Sequence, residues 1–226
     1  TPRRVTCKRS DSSSSCAAPA ISGGHMEWIA CSAFGKAGLL GKAIERFAGY
    51  INSHSDKLNI KVYHAGELVP GLESLDAVRS GAAQMAYGAP YYWTNVSNAT
   101  QFVACLPFGL TAQEQNAWCY YGGGIEAADK AYNEIGVKFL PMGNTGNQMG
   151  GWFNKEINST ADFDGLKFRM PGLGGEVLKT FGANIVLLAG PDVLPALASG
   201  AIDGTEWIAL FLTISSSIAH FSSMVL

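Results

Sequence analysis

Charge is scarce in this chain. Its 226 residues hold 16 Lys and Arg against 18 Asp and Glu, so charged residues make up 15%, where an average soluble protein carries about 25%. A net charge of −2 gives no basic face, which excludes the electrostatic case for a nucleic-acid binder. Long apolar runs are also missing. The best candidate, the charge-free stretch 208–226, is interrupted by Thr213, Ser215, Ser216, Ser217, His220, Ser222 and Ser223, whereas a spanning helix needs about 20 mostly apolar residues. Cys7, Cys16, Cys31, Cys105 and Cys119 show no CxxC spacing and no paired-histidine companion, so no zinc pattern is present. They read as small buried hydrophobes. His25, His54, His64 and His220 all fall outside the glycine-rich segments, and no nucleophile–base arrangement stands out. At the start, Arg3, Arg4, Lys8 and Arg9 are not followed by an apolar run, so this is no intact signal peptide. A removed signal would leave the same absence.

What is present is apolar residue, at 47%, and glycine, at 27 of 226. The first excludes disorder for most of the chain. The second implies many short turns. Residues 1–24 are Ser-rich and read as a disordered leader. From Glu27 strands and helices alternate. Trp28–Ser32 is a short apolar strand. Leu39, Leu40, Ala43, Ile44, Phe47, Ala48 and Ile51 then recur at helical spacing. Strands are expected at 58–64, 84–87, 137–142, 151–154, 166–170, 185–188 and 202–207. Helices are expected at 72–79, 112–121, 125–135, 176–181 and 193–198. This alternation argues for an α/β protein.

One echo refines that reading. Val62-Tyr63-His64-Ala65-Gly66 precedes Leu75-Asp76-Ala77-Val78-Arg79-Ser80-Gly81-Ala82, and Val186-Leu187-Leu188-Ala189-Gly190 precedes Leu194-Pro195-Ala196-Leu197-Ala198-Ser199-Gly200-Ala201. Both read strand, Ala-Gly turn, helix, Ser-Gly-Ala. Two equivalent units so far apart suggest two similar lobes, and a cleft between lobes is a natural small-molecule site.

Several constellations could line such a cleft. Arg169 ends an apolar strand, where a guanidinium must be paired or face a cavity. Its planar fork suits a carboxylate, and an internal salt bridge is the equal alternative. The segment from Asn144 to Trp152, with Gln148 in it, is polar and Gly-flanked. Its amides can orient a ligand or stabilise a turn between two strands. Glu206-Trp207 can offer a carboxylate to a cation beside an aromatic ring, or be a surface acid next to a core aromatic. Tyr91-Tyr92-Trp93 is an aromatic wall or a core cluster. Gly172-Leu173-Gly174-Gly175-Glu176 lacks the third glycine of a dinucleotide turn, since Val177 stands there. It reads instead as a helix start friendly to anions.

Taken in order, Glu67-Leu68-Val69-Pro70, Leu106-Pro107-Phe108-Gly109-Leu110, Tyr120-Tyr121-Gly122-Gly123-Gly124, Gly143 to Trp152, Phe168 to Glu176 and Ser199 to Trp207 resemble the solute-binding proteins of TRAP-type transporters, nearest the branch for 2-oxo acids and lactate. The resemblance covers about 28–207. It implies an α/β, two-lobed, type II periplasmic binding protein, each lobe a mixed sheet flanked by helices with the ligand cleft between them. The expected division is 25–140 for lobe 1 and 141–207 for an incomplete lobe 2, with hinge strands near 137–143 and 202–207 and an atypical tail at 208–226. It further implies capture of a small carboxylate without chemistry, and delivery to TRAP membrane subunits.

The resemblance also supplies roles. Arg169 pairs with the substrate carboxylate. Gln148, Glu206 and the backbone carbonyl of Trp207 hold a sodium or calcium ion that bridges to the substrate. Asn144 and Tyr91 match ligand-contacting positions. The chain departs from the family at both ends, since members continue further with a long bracing helix, so a C-terminal truncation is expected. An enzyme using Arg169 on the same scaffold, or a binder of a sialic acid or dicarboxylate, are the rival readings, and oligomeric state is left open.

Overall fold

The computed structural model describes residues 21–22, 24–104, 106–208 and 219–225. Of the expected disordered leader at 1–24, residues 1–20 and 23 lie outside the described residues, as do tail residues 209–218 and 226, while Ile21–Ser22 corrects that expectation by forming a strand. Strand β1 (Ile21–Ser22) folds antiparallel onto the start of β2 (His25–Ser32). Helix α1 (Leu39–His54) follows and buries Leu40, Gly41, Ile44 and Ala48, as its spacing requires, while Leu39 stays exposed at the helix start. β3 (Leu58–Tyr63) lies parallel to β2 on one edge. A 3-10 turn over 71–73 leads into α2 (Ser74–Arg79), and β4 (Met85–Gly88) lies parallel to β2 on its other side. The unit β2–α1–β3–α2–β4 therefore has spatial order β3-β2-β4.

The second unit repeats the first. β6 (Lys167–Arg169), α5 (Gly172–Lys179), β7 (Asn184–Val186), α6 (Gly190–Ala198) and β8 (Gly204–Ile208) follow in sequence. β7 and β8 both run parallel to β6, giving order β7-β6-β8. The Ala-Gly and Ser-Gly-Ala echo in the sequence is thus the trace of a repeated architecture. In both Ser-Gly-Ala copies the glycine, Gly81 or Gly200, has positive φ, 81° and 73°, a backbone state that side-chain-bearing residues resist.

Two helices begin earlier than expected. α5 starts at Gly172 rather than 176, and α6 at Gly190 rather than 193. Proline supports both starts, at the cap position in Pro171 and near the first turn in Pro191. The Gly172–Gly175 run is therefore helix, not loop.

Between the units lie α3 (Ala112–Tyr121), α4 (Gly124–Asn133) and β5 (Phe139–Phe153). β5 corrects the reading of two strands separated by a polar turn, because it runs unbroken through Asn144–Gly150. Its register slips between Pro141 and Gly143 and between Asn144 and Asn147 against β9 (Ala219–Val225), and between Met149 and Trp152 against β8. Such irregularities accommodate extra residues while the ladder continues, so glycines and amides that look like a turn in sequence become a bent strand. β5 pairs with β9 up to Asn147 and with β8 from Gln148, and so belongs to both lobes. β9 sits between β4 and β5, so the charge-free tail contributes a central strand of the first lobe.

The first lobe's core is aromatic. Phe34 packs edge-on to Tyr87 at 5.3 Å and Tyr132 lies 5.1 Å from Phe139, with Trp93 buried among them. In the second lobe Phe153 and Phe168 stack at 4.8 Å. The lobes touch closely where side chains are small: a β-carbon on Gly71 would stand 3.2 Å from that of Ala189. No helix among the described residues is long and apolar enough to cross a membrane.

Candidate functional site

Arg169 ends β6, beside the β7–α6 turn and the middle of β8. Its side chain is 1% exposed. All of its hydrogen-bonding capacity is engaged by protein. Nε and Nη2 donate to the Leu188 carbonyl at 3.3 and 3.2 Å. Nη1 donates to the Glu206 carbonyl at 3.2 Å and to Glu206 Oε2 at 3.0 Å. Nη2 also donates to the Tyr92 hydroxyl oxygen at 3.2 Å, across from the first lobe. A guanidinium has five N–H donors, and these five contacts match them. A ligand carboxylate therefore reaches Arg169 only by displacing one of these acceptors. The exchangeable ones are the Glu206 carboxylate and the Tyr92 hydroxyl, because carbonyls are fixed by the chain. The indole of Trp207 lies 4.9 Å from the guanidinium carbon and completes its surroundings.

Glu206 is buried beside Arg169. Burial pushes its carboxyl above the ordinary glutamate range, and the Arg169 charge opposes this only in part. The salt bridge weighed in the sequence is therefore present, between Arg169 Nη1 and Glu206 Oε2 at 3.0 Å.

Gln148 lies on β5, on the strand next to β8, whose Trp207 pairs with Met149. Its amide nitrogen donates to Thr145 Oγ1 at 3.3 Å, while its Oε1 is buried without a hydrogen-bond partner. A buried acceptor left unpaired is costly and marks a place where a donor or cation is wanted. Asn144 shows the complementary state: its oxygen accepts from the Gly146 N–H at 2.8 Å and its buried Nδ2 has no partner.

A cavity of about 150 Å³ opens against Gln148 and Glu206. Met149, Met170, Pro171, Val177, Leu178 and Pro107 supply much of its apolar wall, and among the described residues no basic side chain is on it. Of the six residues singled out in the sequence, Arg169, Glu206 and Trp207 meet directly, and Gln148 shares the cavity wall with Glu206. Asn144 and Tyr91 are not on that wall. Tyr91 is buried edge-on to Tyr92 at 5.1 Å, close beneath Gly172.

Sequence reasoning missed Tyr92, Leu188 and the apolar wall. Tyr92 stood next to the chosen Tyr91 in an aromatic triplet that was noticed. Leu188 acts through its backbone and leaves no signal in side-chain chemistry. The apolar wall looks like any core. Cys31 and Cys119 are buried and their thiols are pushed up by burial, in keeping with structural rather than reactive roles.

Two equivalent units sharing one long strand, with a buried guanidinium at the strand ends between them, define a two-lobed binding architecture. The chain belongs to the DctP family, described as bacterial extracellular solute-binding protein, family 7, which matches residues 33–220. It is 48% identical over 152 residues to a monocarboxylate 2-oxoacid-binding periplasmic protein of Nostoc sp., covering 67% of this chain and 42% of that protein. Among solved structures, a TRAP periplasmic solute-binding protein of Pseudoalteromonas atlantica with bound sodium and pyruvate matches at 35% identity and a TM-score of 0.83, covering 89% of this chain and 66% of its own. A TRAP periplasmic solute-binding protein of Colwellia psychrerythraea with bound calcium and pyruvate matches with the same identity, TM-score and coverage. The chain thus spans under half the length of the Nostoc protein and about two thirds of the solved ones. The family is one of solute-binding proteins rather than of enzymes.

Proposed function

We propose that this chain captures a small monocarboxylate of the 2-oxo acid or lactate class in the periplasm and presents it to TRAP-type membrane subunits. Arg169 receives the carboxylate, and Gln148, Glu206 and Trp207 hold a sodium or calcium ion beside it. The observation that carries this reading is that Glu206, paired with the buried Arg169, shares a cavity wall with Gln148, whose buried Oε1 has no hydrogen-bond partner. The Nostoc relative's name and the pyruvate held by the two solved structures support the ligand class.

The donors fit the cation. An amide oxygen lacking a partner and a buried carboxylate are hard oxygen ligands, as sodium and calcium prefer. Among the described residues no group of three or more His, Cys, Asp and Glu comes together, so a softer-metal site has no support. The cation, when bound, would supply positive charge to the ligand and to Glu206. Glu206 would then no longer depend on Arg169 for charge balance, which leaves a guanidinium N–H for the ligand. The cavity wall speaks against a dicarboxylate or a sialic acid, since among the described residues it offers no basic group to a second anion and little polarity to a sugar.

The test is calorimetric titration of pyruvate in sodium or calcium buffer and again in chelated, sodium-free buffer. Binding should weaken at least about tenfold without the cation, the scale of one lost charge-assisted contact. In Glu206→Gln the two buffers should give the same affinity. Equal affinity of the parent protein in both buffers refutes the cation's role, and no binding in either refutes the reading.

A further inference from the structure

The Ala-Gly echo of the sequence has a counterpart in space. Its two turns, His64-Ala65-Gly66 after β3 and Leu188-Ala189-Gly190 after β7, belong to different lobes and converge on Gly71. A β-carbon on Gly71 would stand 3.2 Å from the β-carbon of Ala65 and 3.2 Å from that of Ala189. A second bare position faces the residue after the β7 turn. A β-carbon on Gly35 would meet Pro191 Cγ of the second lobe at 3.3 Å and, its chain neighbours aside, no other atom of the described residues within 4 Å. The β7 turn is also tied to the proposed binding side chains. Arg169 Nε and Nη2 both donate to the Leu188 carbonyl, at 3.3 and 3.2 Å. The Trp207 ring lies over bare Gly190, where a β-carbon would meet it at 2.9 Å. Leu188 to Pro191 therefore touch Arg169 and Trp207 of their own lobe and Gly71 and Gly35 of the other.

Resting on the function proposed above, we infer that the turn from Leu188 to Pro191 couples ligand capture to the closing of the two lobes on each other, and that Gly35 is a positioning residue for affinity because it leaves room for that contact. Relative motion is the default between domains unless their interface is large and apolar. This part of the interface is glycine, alanine and proline, too little apolar surface to lock the lobes together. β5, shared by both lobes, offers the pivot. The Leu188 carbonyl is fixed to its chain, so a guanidinium drawn towards a carboxylate carries the turn with it. The far side of the turn packs on Gly35 and Gly71 without an intervening side chain, and close-packed contacts switch between arrangements rather than stretch. Capture at Arg169 and contact at Gly35 are then linked, and each strengthens the other.

Gly35→Val places a wedge in this contact. Gly35 has no positive φ, so its backbone accepts a side chain. Calorimetric titration of the whole chain with pyruvate, in buffer containing sodium and calcium, should show the variant binding about 5- to 150-fold more weakly, the usual range for coupled sites. Small-angle X-ray scattering in the same buffer should show the parent's radius of gyration falling with pyruvate and the variant's falling less. Ligand-free melting should match the parent, which separates a closing role from a merely structural one. Gly35→Val combined with Pro191→Ala should regain part of the lost affinity, because the ring that the added side chain strikes is gone. If Gly35→Val melts early, Pro191→Leu presses the same contact from the second lobe and should give the same loss. Parental affinity in both Gly35→Val and Pro191→Leu, or a parent whose radius pyruvate does not change, overturns the inference and leaves carboxylate capture intact. Absence of pyruvate binding in the parent overturns both.

Discussion

Replacing Arg169 with lysine keeps the charge and removes the fork. The guanidinium makes five contacts within 3.3 Å, two to Leu188, two to Glu206 and one to Tyr92. An ammonium has three donors on a tip that rotates freely. At most three of the five contacts can persist, and because the five reach four acceptor atoms, at least one acceptor in a buried site loses its donor. At about 1–3 kcal/mol for such a loss, the folded state should lose about 1–3 kcal/mol. For a chain of this size each kcal/mol moves the melting temperature by about 2–4 °C, so a fall of roughly 2–12 °C is expected in ligand-free thermal melts. The effect on binding should be separate and visible once the melt is accounted for. In calorimetry at a temperature where both proteins are folded, a 2-oxo acid should bind the lysine variant about 10- to 100-fold more weakly, because a point charge cannot reproduce a bidentate grip. A variant that melts with the parent refutes the hydrogen-bond account of Arg169, and one that binds with parental affinity refutes its role as the carboxylate's partner.

Glu206 should behave in the opposite way towards stability. Its carboxyl is pushed up by burial, so over the interval between the ordinary glutamate range and its raised value the folded protein holds a proton that the unfolded chain has released. Stability from this group is full below that interval and is lost as pH rises through it. Urea melts across this interval should show the parent losing stability relative to Glu206→Gln, with the variant at least as stable at neutral pH; the reverse order sinks the argument. Gly204→Ala places a β-carbon 2.7 Å from the Trp152 carbonyl and 2.9 Å from the Phe168 ring, and should cost about 1–3 kcal/mol by overpacking in the same assay. Thr111→Ala removes the hydroxyl that accepts the Glu114 N–H at the start of α3. It should lower the melting temperature by about 2–4 °C without altering ligand affinity, since no residue of α3 lines the cavity, and a change in affinity would contradict this.

Much of the fold could be read locally because it is built from local rules. The period of α1, the glycine stops after α2 and α6 and the Ser-Gly-Ala echo each depend on residues a few positions apart, and the repeated unit follows from them. Where partners lie far away the reading failed. Asn144–Gly150 has turn chemistry but two neighbouring strands, and pairing on both sides holds it extended as β5. The tail looked foreign by composition, yet 219–225 is a central strand, since backbone pairing needs little from side chains.

By itself the sequence determined the alternation of strands and helices, the two equivalent units, and the residue types able to grip a carboxylate: one isolated arginine, an amide segment and a carboxylate beside an indole. Those are properties of composition and spacing. Only the tertiary structure decided that Arg169 and Glu206 meet, 37 residues apart, with every guanidinium donor already taken. It also decided that Tyr92 from the other lobe completes the set, and that the space beside them is walled by methionine, valine and leucine. The reason is physical. Burial, desolvation and hydrogen-bond saturation are properties of neighbours in space, and β5 and β8 bring together neighbours that the chain keeps far apart.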